Sequence, residues 1–246
     1  MKLVLSVILA LAMSIARAES VPILTFHRVT DDRAPGPTVV SPSQFSAYIE
    51  ALKAQGLKAL KIEELVQLMK SSTPIPPKLV CITFDDGWRD QLTAAQILEK
   101  QKFPATFYVL SGTFDDPQYF SKDQLRSLAQ NPLFEIGGHS HTHFPEYTVT
   151  GKITSPAMIG ELVMSRTFIE EVTKTQVKNY AWPYGFATTE AVQFAERLGF
   201  SSTAMVNSIS KNTNGRTLEL QRMNIDGRCS VQSVLKMVRT GVLEAC

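Results

Sequence analysis

Lys78-Leu79-Val80-Cys81-Ile82-Thr83-Phe84-Asp85-Asp86-Gly87-Trp88 is the stretch that decides how this chain is read. Its apolar run, Leu79 to Phe84, stops at two adjacent carboxylates and a glycine. A run of that length closed by turn residues reads as a buried strand. In α/β folds the chemistry gathers beyond the carboxyl ends of such strands. Asp-Gly is also ordinary turn vocabulary, so these letters alone leave a plain turn as the alternative.

Working outward, strand and helix patterns alternate. Val21 to Phe26 reads as a first strand ending at His27-Arg28, and a Pro- and Gly-rich loop covers Asp31 to Pro37. Ser41-Pro42-Ser43 opens a helix that repeats Phe45, Ile49 and Leu52 and stops at Gly56. Leu57 to Leu60 is a short strand, and Ile62, Leu65, Val66 and Met69 line the next helix. Past Gly87 the pattern predicts helices over 90–102, 121–130 and 156–175, with strands over 104–110, 133–136 and 177–182. A helix from Thr188 to a C-capping Gly199, strands over 200–205 and 218–225, and a helix over 230–239 complete the chain. One α/β domain follows, either an open parallel sheet or a (β/α) barrel. The strand ends collect His27, Asp85-Asp86, His139 to His143, Pro183-Tyr184-Gly185 and Arg222.

The first eighteen residues stand apart from that pattern. Lys2, the apolar stretch Leu3 to Met13 and Ala16-Arg17-Ala18 read as a secretory leader cut after Ala18, too short for a membrane span. The expectation is a secreted or periplasmic domain over 19–246 with no membrane span in the mature chain, acting as a monomer. Loss of Lys2 and Arg17 leaves 23 basic against 23 acidic residues, so charge points to no nucleic-acid or polyanion partner. Of three cysteines, Cys81 reads as a small buried hydrophobe, whereas Cys229 and Cys246 either pair or stay free.

Three of the four histidines fall within five residues, in Gly138-His139-Ser140-His141-Thr142-His143. In a helical turn, His139 and His143 would face the same way and His141 elsewhere. Two neutral imidazoles with one carboxylate make a facial metal set that leaves positions open for water and substrate. The strand-end aspartates supply the carboxylate.

With these residues in view, the chain resembles the NodB-type polysaccharide deacetylases, carbohydrate esterase family 4, across essentially its whole mature length. Thr83-Phe84-Asp85-Asp86-Gly87 matches the family's first motif, His139-Ser140-His141-Thr142-His143 its H-[ST]-x-x-H motif, and Trp182-Pro183-Tyr184-Gly185 the end of its third. The opening Val21 to Val29 also resembles secreted members. The resemblance implies a distorted (β/α) barrel and a hydrolase removing N-acetyl groups from an N-acetylglucosamine-containing polysaccharide. It implies Asp86, His139 and His143 as ligands of a divalent metal, zinc first, with cobalt or nickel as alternatives. It implies Asp85 as general base and the backbone N–H of Tyr184 as a donor to the oxyanion. Trp88, Pro183 and Tyr184 are the expected sugar contacts, whereas Trp182 is read as core.

Two departures stand out. The family's third motif usually begins with an arginine against the base aspartate, and Ala181 occupies that position here. Arg222, at a later strand end, is the candidate replacement, against a structural salt bridge. No histidine follows His143, so the family's late acid histidine is missing and His27 is the candidate acid, against a role in the core. A second Thr113-Phe114-Asp115-Asp116 lies in a loop with no helix start behind it and receives no catalytic role. O-acetyl ester hydrolysis and a degenerate polysaccharide-binding domain are the rival readings. Exopolysaccharide, chitin-like polymer and peptidoglycan all remain open as substrates.

Overall fold

The computed structural model describes residues 20–143 and 156–246, so the leader expected over Met1 to Ala18 lies outside the described residues. Its hub is β5 (Leu79–Phe84), buried along its whole length, as an unbroken apolar run requires. One edge of β5 pairs with β1 (Ile23–Phe26), and β4 (Lys58–Leu60) and β6 (Ala105–Val109) share the other. From β6 the ring runs through β7 (Phe134–Gly138), β8 (Asn179–Ala181), β9 (Ser202–Val206) and β10 (Leu220–Asn224), and β10 returns to β1. All pairings are parallel, and seven strands close into a barrel with β4 attached beside them. The β1–β5 pairing decides between the open sheet and the barrel that alternation alone left open. A short pair that the sequence pattern did not indicate, β2 (Arg28–Val29) and β3 (Val39–Val40), flanks the first strand end.

Period-two alternation sorts the strand residues into two cores. Val80, Ile82 and Phe84 face outward with Leu24, Phe26 and Phe107 toward the helices. Ile23, Leu79, Cys81, Tyr108, Ala181, Ala204 and Leu220 face inward. The inner core is closed at the amino ends of the strands by α2 (Ile62–Lys70), whose Ile62, Leu65, Val66 and Met69 join it. Polar bonds fix that plug: Thr106 Oγ1 accepts from Ile62 N–H at 3.0 Å, and Glu135 accepts from Glu63 N–H at 3.1 Å and from Thr106 at 2.8 Å. The barrel is therefore sealed at one end, and chemistry is confined to the other.

The outer helices begin where short polar side chains satisfy the first free N–H groups. Ser41 caps α1 (Pro42–Ala54), Ser121 caps α4 (Lys122–Gln130), Thr188 caps α6 (Thr189–Arg197) and Ser230 caps α7 (Val231–Thr240). Between β5 and β6 runs α3 (Gln91–Gln101), and α5 (Pro156–Thr173) precedes β8. Cys229 and Cys246 form a disulfide that ties the tail beyond α7 to the residue before its cap, with Cα atoms 4.5 Å apart. No helix among the described residues is long and apolar enough to cross a membrane.

Candidate active site

Along β5 the inward positions read Leu79, Cys81, Thr83, then Asp85 just past the strand, so the barrel lining turns from apolar to charged at its open end. Inside the barrel Asp85 meets Arg222 from β10. The guanidinium donates from Nη1 to Oδ1 at 2.6 Å and from Nη2 to Oδ2 at 2.8 Å. Arg222 is wholly buried; it also donates to Thr83 Oγ1 at 3.3 Å and lies 5.2 Å over the Tyr108 ring. Burial alone pushes the Asp85 carboxyl up, but Arg222 and His139 outweigh it and hold the group below the usual carboxylate range. Asp85 is thus an ionised carboxylate kept in one orientation by a two-pronged partner.

Asp86 leaves the strand line because its φ of 76° and the φ of 80° at Gly87 turn the backbone sharply. One of its oxygens, Oδ1, faces His139 Nε2 at 3.4 Å and His143 Nε2 at 3.6 Å. Its other oxygen accepts the Trp88 indole N–H at 2.8 Å, which directs a single oxygen at the two imidazoles. The three ligating atoms lie within 4.8 Å of one another. His139 Nδ1 sits 2.8 Å from the Ala181 carbonyl, which can only accept, so Nδ1 carries a proton and Nε2 is the nitrogen left to face the cluster, as a proton donor in the free site and as a lone pair toward a bound cation. With two such nitrogens and one oxygen, the set fits a divalent cation such as zinc. Burial pushes the Asp86 carboxyl up, yet bonding and charge from His139 hold it far below its ordinary value. Burial lowers His139, but Asp85 and Asp86 more than offset this and raise it; burial and the neighbouring His139 charge lower His143.

The histidine segment is a loop rather than a helical turn, which corrects the geometric expectation while leaving the pairing of His139 with His143. Ser140 and His143 both adopt left-handed backbone, with φ of 71° and 57°. His139 enters in line with β7 and donates its N–H to Val109 O at 3.0 Å. Ser140 Oγ accepts the His143 N–H at 2.9 Å and closes the turn. His141 points elsewhere, its Nδ1 2.7 Å from Ser111 Oγ.

His27 follows β1 on the inward side and bears electrostatically on Asp85, Asp86 and His143. Its Nδ1 is buried with no hydrogen-bond partner among the described residues. Pro183, Tyr184 and Gly185 form a tight turn in which Tyr184 has a φ of 59°, and its ring lies 4.6 Å from that of His143. Gly185 is required there: a Cβ would sit 2.5 Å from Val206 Cβ, at a φ of 71°. Trp88 stacks on Tyr119 at 4.2 Å, and the Arg28 guanidinium lies 4.5 Å over the same indole. The ring therefore has little free face for a sugar, and its N–H is committed to Asp86. Trp182 is fully buried. The second Thr-Phe-Asp-Asp stays in its loop, where Asp116 accepts from Gln118 N–H at 2.8 Å and the side chain of Asp115 is open to solvent.

Sequence reasoning missed three residues around the site. Gln91, fully buried, donates from Nε2 to the carbonyls of both His27 and Asp85, at 2.8 and 2.6 Å, and so ties the ends of β1 and β5 together. Tyr119 backs Trp88 through an isolated strand bridge. Glu161, on α5, holds the histidine loop from outside.

A closed parallel barrel carrying an arginine-held carboxylate beside an Asp-His-His cluster defines a barrel hydrolase with a centre suited to a divalent cation. Residues 72–203 match the model of the polysaccharide deacetylase family, and the chain belongs to that family. It is 28% identical over 172 residues to the poly-beta-1,6-N-acetyl-D-glucosamine N-deacetylase of Staphylococcus aureus, covering 65% of this chain and 58% of that protein. It is 23% identical over 180 residues to YxkH of Bacillus subtilis, covering 73% of this chain and 62% of that one. The chain thus spans about three-fifths of these relatives. The fold matches that of the Streptococcus pyogenes deacetylase PplD, with a TM-score of 0.78 over 90% of this chain and 99% of the other at 21% identity.

Proposed function

We propose that this protein hydrolyses N-acetyl groups of an N-acetylglucosamine-containing polysaccharide outside the cytoplasm, using a divalent metal held by Asp86, His139 and His143. The carrying observation is the buried Asp85–Arg222 pair beside that cluster: it supplies an ionised, oriented base next to, but not within, the donor set. When bound, zinc, cobalt or nickel supplies Lewis acidity to the acetyl carbonyl and to the attacking water. Asp85 takes the proton of that water as its oxygen adds to the carbonyl carbon. The Tyr184 N–H, at the left-handed turn beside His143, donates to the resulting oxyanion. As the carbon–nitrogen bond breaks, His27 gives a proton to the departing amine, and acetate and an amino sugar are the products. Arg222 keeps Asp85 ionised and aimed throughout.

The Cys229–Cys246 disulfide supports an oxidising compartment, in line with the leader read over Met1 to Ala18. The relation to the Staphylococcus aureus enzyme favours a β-1,6-linked N-acetylglucosamine polymer over chitin or peptidoglycan. Pro183 and Tyr184, the latter well exposed, are the proposed sugar contacts at the rim. The test is acetate release from a panel of acetylated glycans by chelator-stripped and metal-restored protein. Restored release from the β-1,6 polymer is expected. Tight metal binding with no acetate from any glycan would refute the reading in favour of a binding domain.

A further inference from the structure

The loop that presents both histidine ligands has an unfavourable backbone. Ser140 and His143 sit in left-handed conformation, which residues with a Cβ rarely adopt, so something outside the loop must hold it. Two anchors come from the loop after β6: Ser111 N–H donates to Ser140 O at 3.2 Å, and Gly112 N–H donates to His141 O at 2.9 Å. Both engage carbonyls. The N–H groups at the apex point the other way, toward α5, and there they meet one carboxylate. Glu161 Oε2 accepts from His141 N–H at 2.7 Å and from Thr142 N–H at 2.8 Å. Glu161 Oε1 accepts from Thr142 Oγ1 at 2.7 Å.

Two successive N–H groups converging on one oxygen form a nest for an anion, and Glu161 fills it from within the chain. With Ser140 Oγ bonded to His143 N–H, the bonds run unbroken from His141 to the second ligand. The carboxylate touches neither ligand ring; it fixes the peptide units between them. We propose that Glu161 is the positioning residue that sets the His139–His143 spacing for the cation, an inference that rests on the metal reading above. Without it, two apex N–H groups lose their acceptor and the loop is free to leave the left-handed turn, carrying His143 away from Asp86 Oδ1.

The chemistry of the nest separates the substitutions. In Glu161→Gln the amide oxygen can still accept both N–H groups, and its NH2 can donate to Thr142 Oγ1, so shape survives without charge. In Glu161→Ala nothing replaces the acceptor. Val163, exposed on the same helix, gives a control in Val163→Ala. The measurement is cobalt and zinc affinity by chelator competition, with the visible absorption spectrum of the cobalt-loaded protein and the melting temperature of each variant. Wild-type binding comes first: if wild type takes up neither metal, the metal reading fails and this inference goes with it. Given binding, Glu161→Ala is expected to lose about 10- to 100-fold in affinity and to alter the cobalt spectrum. Glu161→Gln should retain most of the affinity, and Val163→Ala all of it. Wild-type affinity and spectrum in Glu161→Ala would overturn the inference, as would equal losses in the alanine and glutamine variants.

Discussion

Replacing Arg222 by alanine is the perturbation that most directly probes how the site works. Both partners of the Arg222–Asp85 pair are buried, with side-chain exposure of 0% and 4%, and the guanidinium makes two short bonds to the carboxylate. Removing one member of such a pair leaves a charge in the barrel with no counter-ion, at a cost of about 3–5 kcal/mol. For a chain of this size that corresponds to a fall of roughly 6–20 °C in melting temperature. The Asp85 carboxyl, held below its ordinary value of 3.8 mainly by Arg222 against the effect of burial, should then rise. The sign fixes the pH dependence. In wild type the contribution of the pair is complete above 3.8 and fades only as pH falls through the lower folded-state value. In the variant Asp85 takes up a proton on acidification and escapes the penalty, so the stability gap is widest near neutrality and narrows in acid. Turnover should fall by up to the about 10²–10⁴ that a general base contributes, with the acid limb of kcat/KM displaced to higher pH. Arg222→Lys, with a point charge for a planar fork, should recover part of the stability but little of the rate. Adding Asp85→Asn to Arg222→Ala should restore stability relative to Arg222→Ala alone, because the stranded charge is gone. Unfolding curves and pH–rate profiles decide it. Unchanged turnover in Arg222→Ala, or a double variant less stable than the single one, would refute the reasoning.

Other substitutions separate roles that lie close together. Trp88→Phe keeps a ring between Tyr119 and Arg28 but removes the N–H on Asp86, so metal affinity should drop about 10-fold or more with KM for glycan unchanged; a raised KM at full affinity would make Trp88 a sugar contact instead. Gly185→Ala places a Cβ 2.5 Å from Val206 at positive φ, and a loss of about 1–3 kcal/mol in stability is expected together with a lower kcat from the displaced Tyr184 N–H. His27→Gln should suppress kcat by about 10²-fold or more while leaving metal affinity unchanged; full activity would end the acid assignment. Cys246→Ser should cost at most about 3 kcal/mol, the loop-closure contribution for a separation of 17 residues, and leave turnover intact, since the bond lies at the tail.

What could be read from the sequence follows from which interactions side-chain type controls. The apolar run ending at Asp85-Asp86 and the spacing of His139 and His143 carry their own chemistry, and the strand end at Leu220–Asn224 offers Arg222 as a candidate partner for the base, whereas its place on the lining beside Asp85 comes from the register of β10 in the closed ring. The closure of that barrel was not legible in the same way, because the parallel pairing of β1 with β5 joins segments 58 residues apart through backbone groups that every sequence possesses. The duplicated Thr-Phe-Asp-Asp shows the limit from the other side: identical letters give a strand-end site once and a surface loop once, because only in the first copy do Thr and Phe complete a buried strand and the last Asp and the Gly after it take left-handed backbone.

Gln91 and Glu161 mark where sequence reading stops for a physical reason. Each acts chiefly on main-chain groups, Gln91 on the carbonyls of His27 and Asp85 and Glu161 on the N–H groups of His141 and Thr142, and the one side chain Glu161 also meets, the Thr142 hydroxyl, carries no charge that would advertise the pairing. A polar residue on a helix face normally reads as a solvated one, and only the fold brings that face against a loop with unsatisfied backbone. The same logic applies to Ala181. Its side chain lacks the arginine that the family motif places there, yet its carbonyl fixes the tautomer of His139. The position has therefore kept a backbone role in the site, while the guanidinium that holds the base arrives from β10, two strands further round the ring. A barrel permits that exchange because every strand end faces the same interior, so a charge needed at Asp85 can be supplied from any strand whose inward register reaches it.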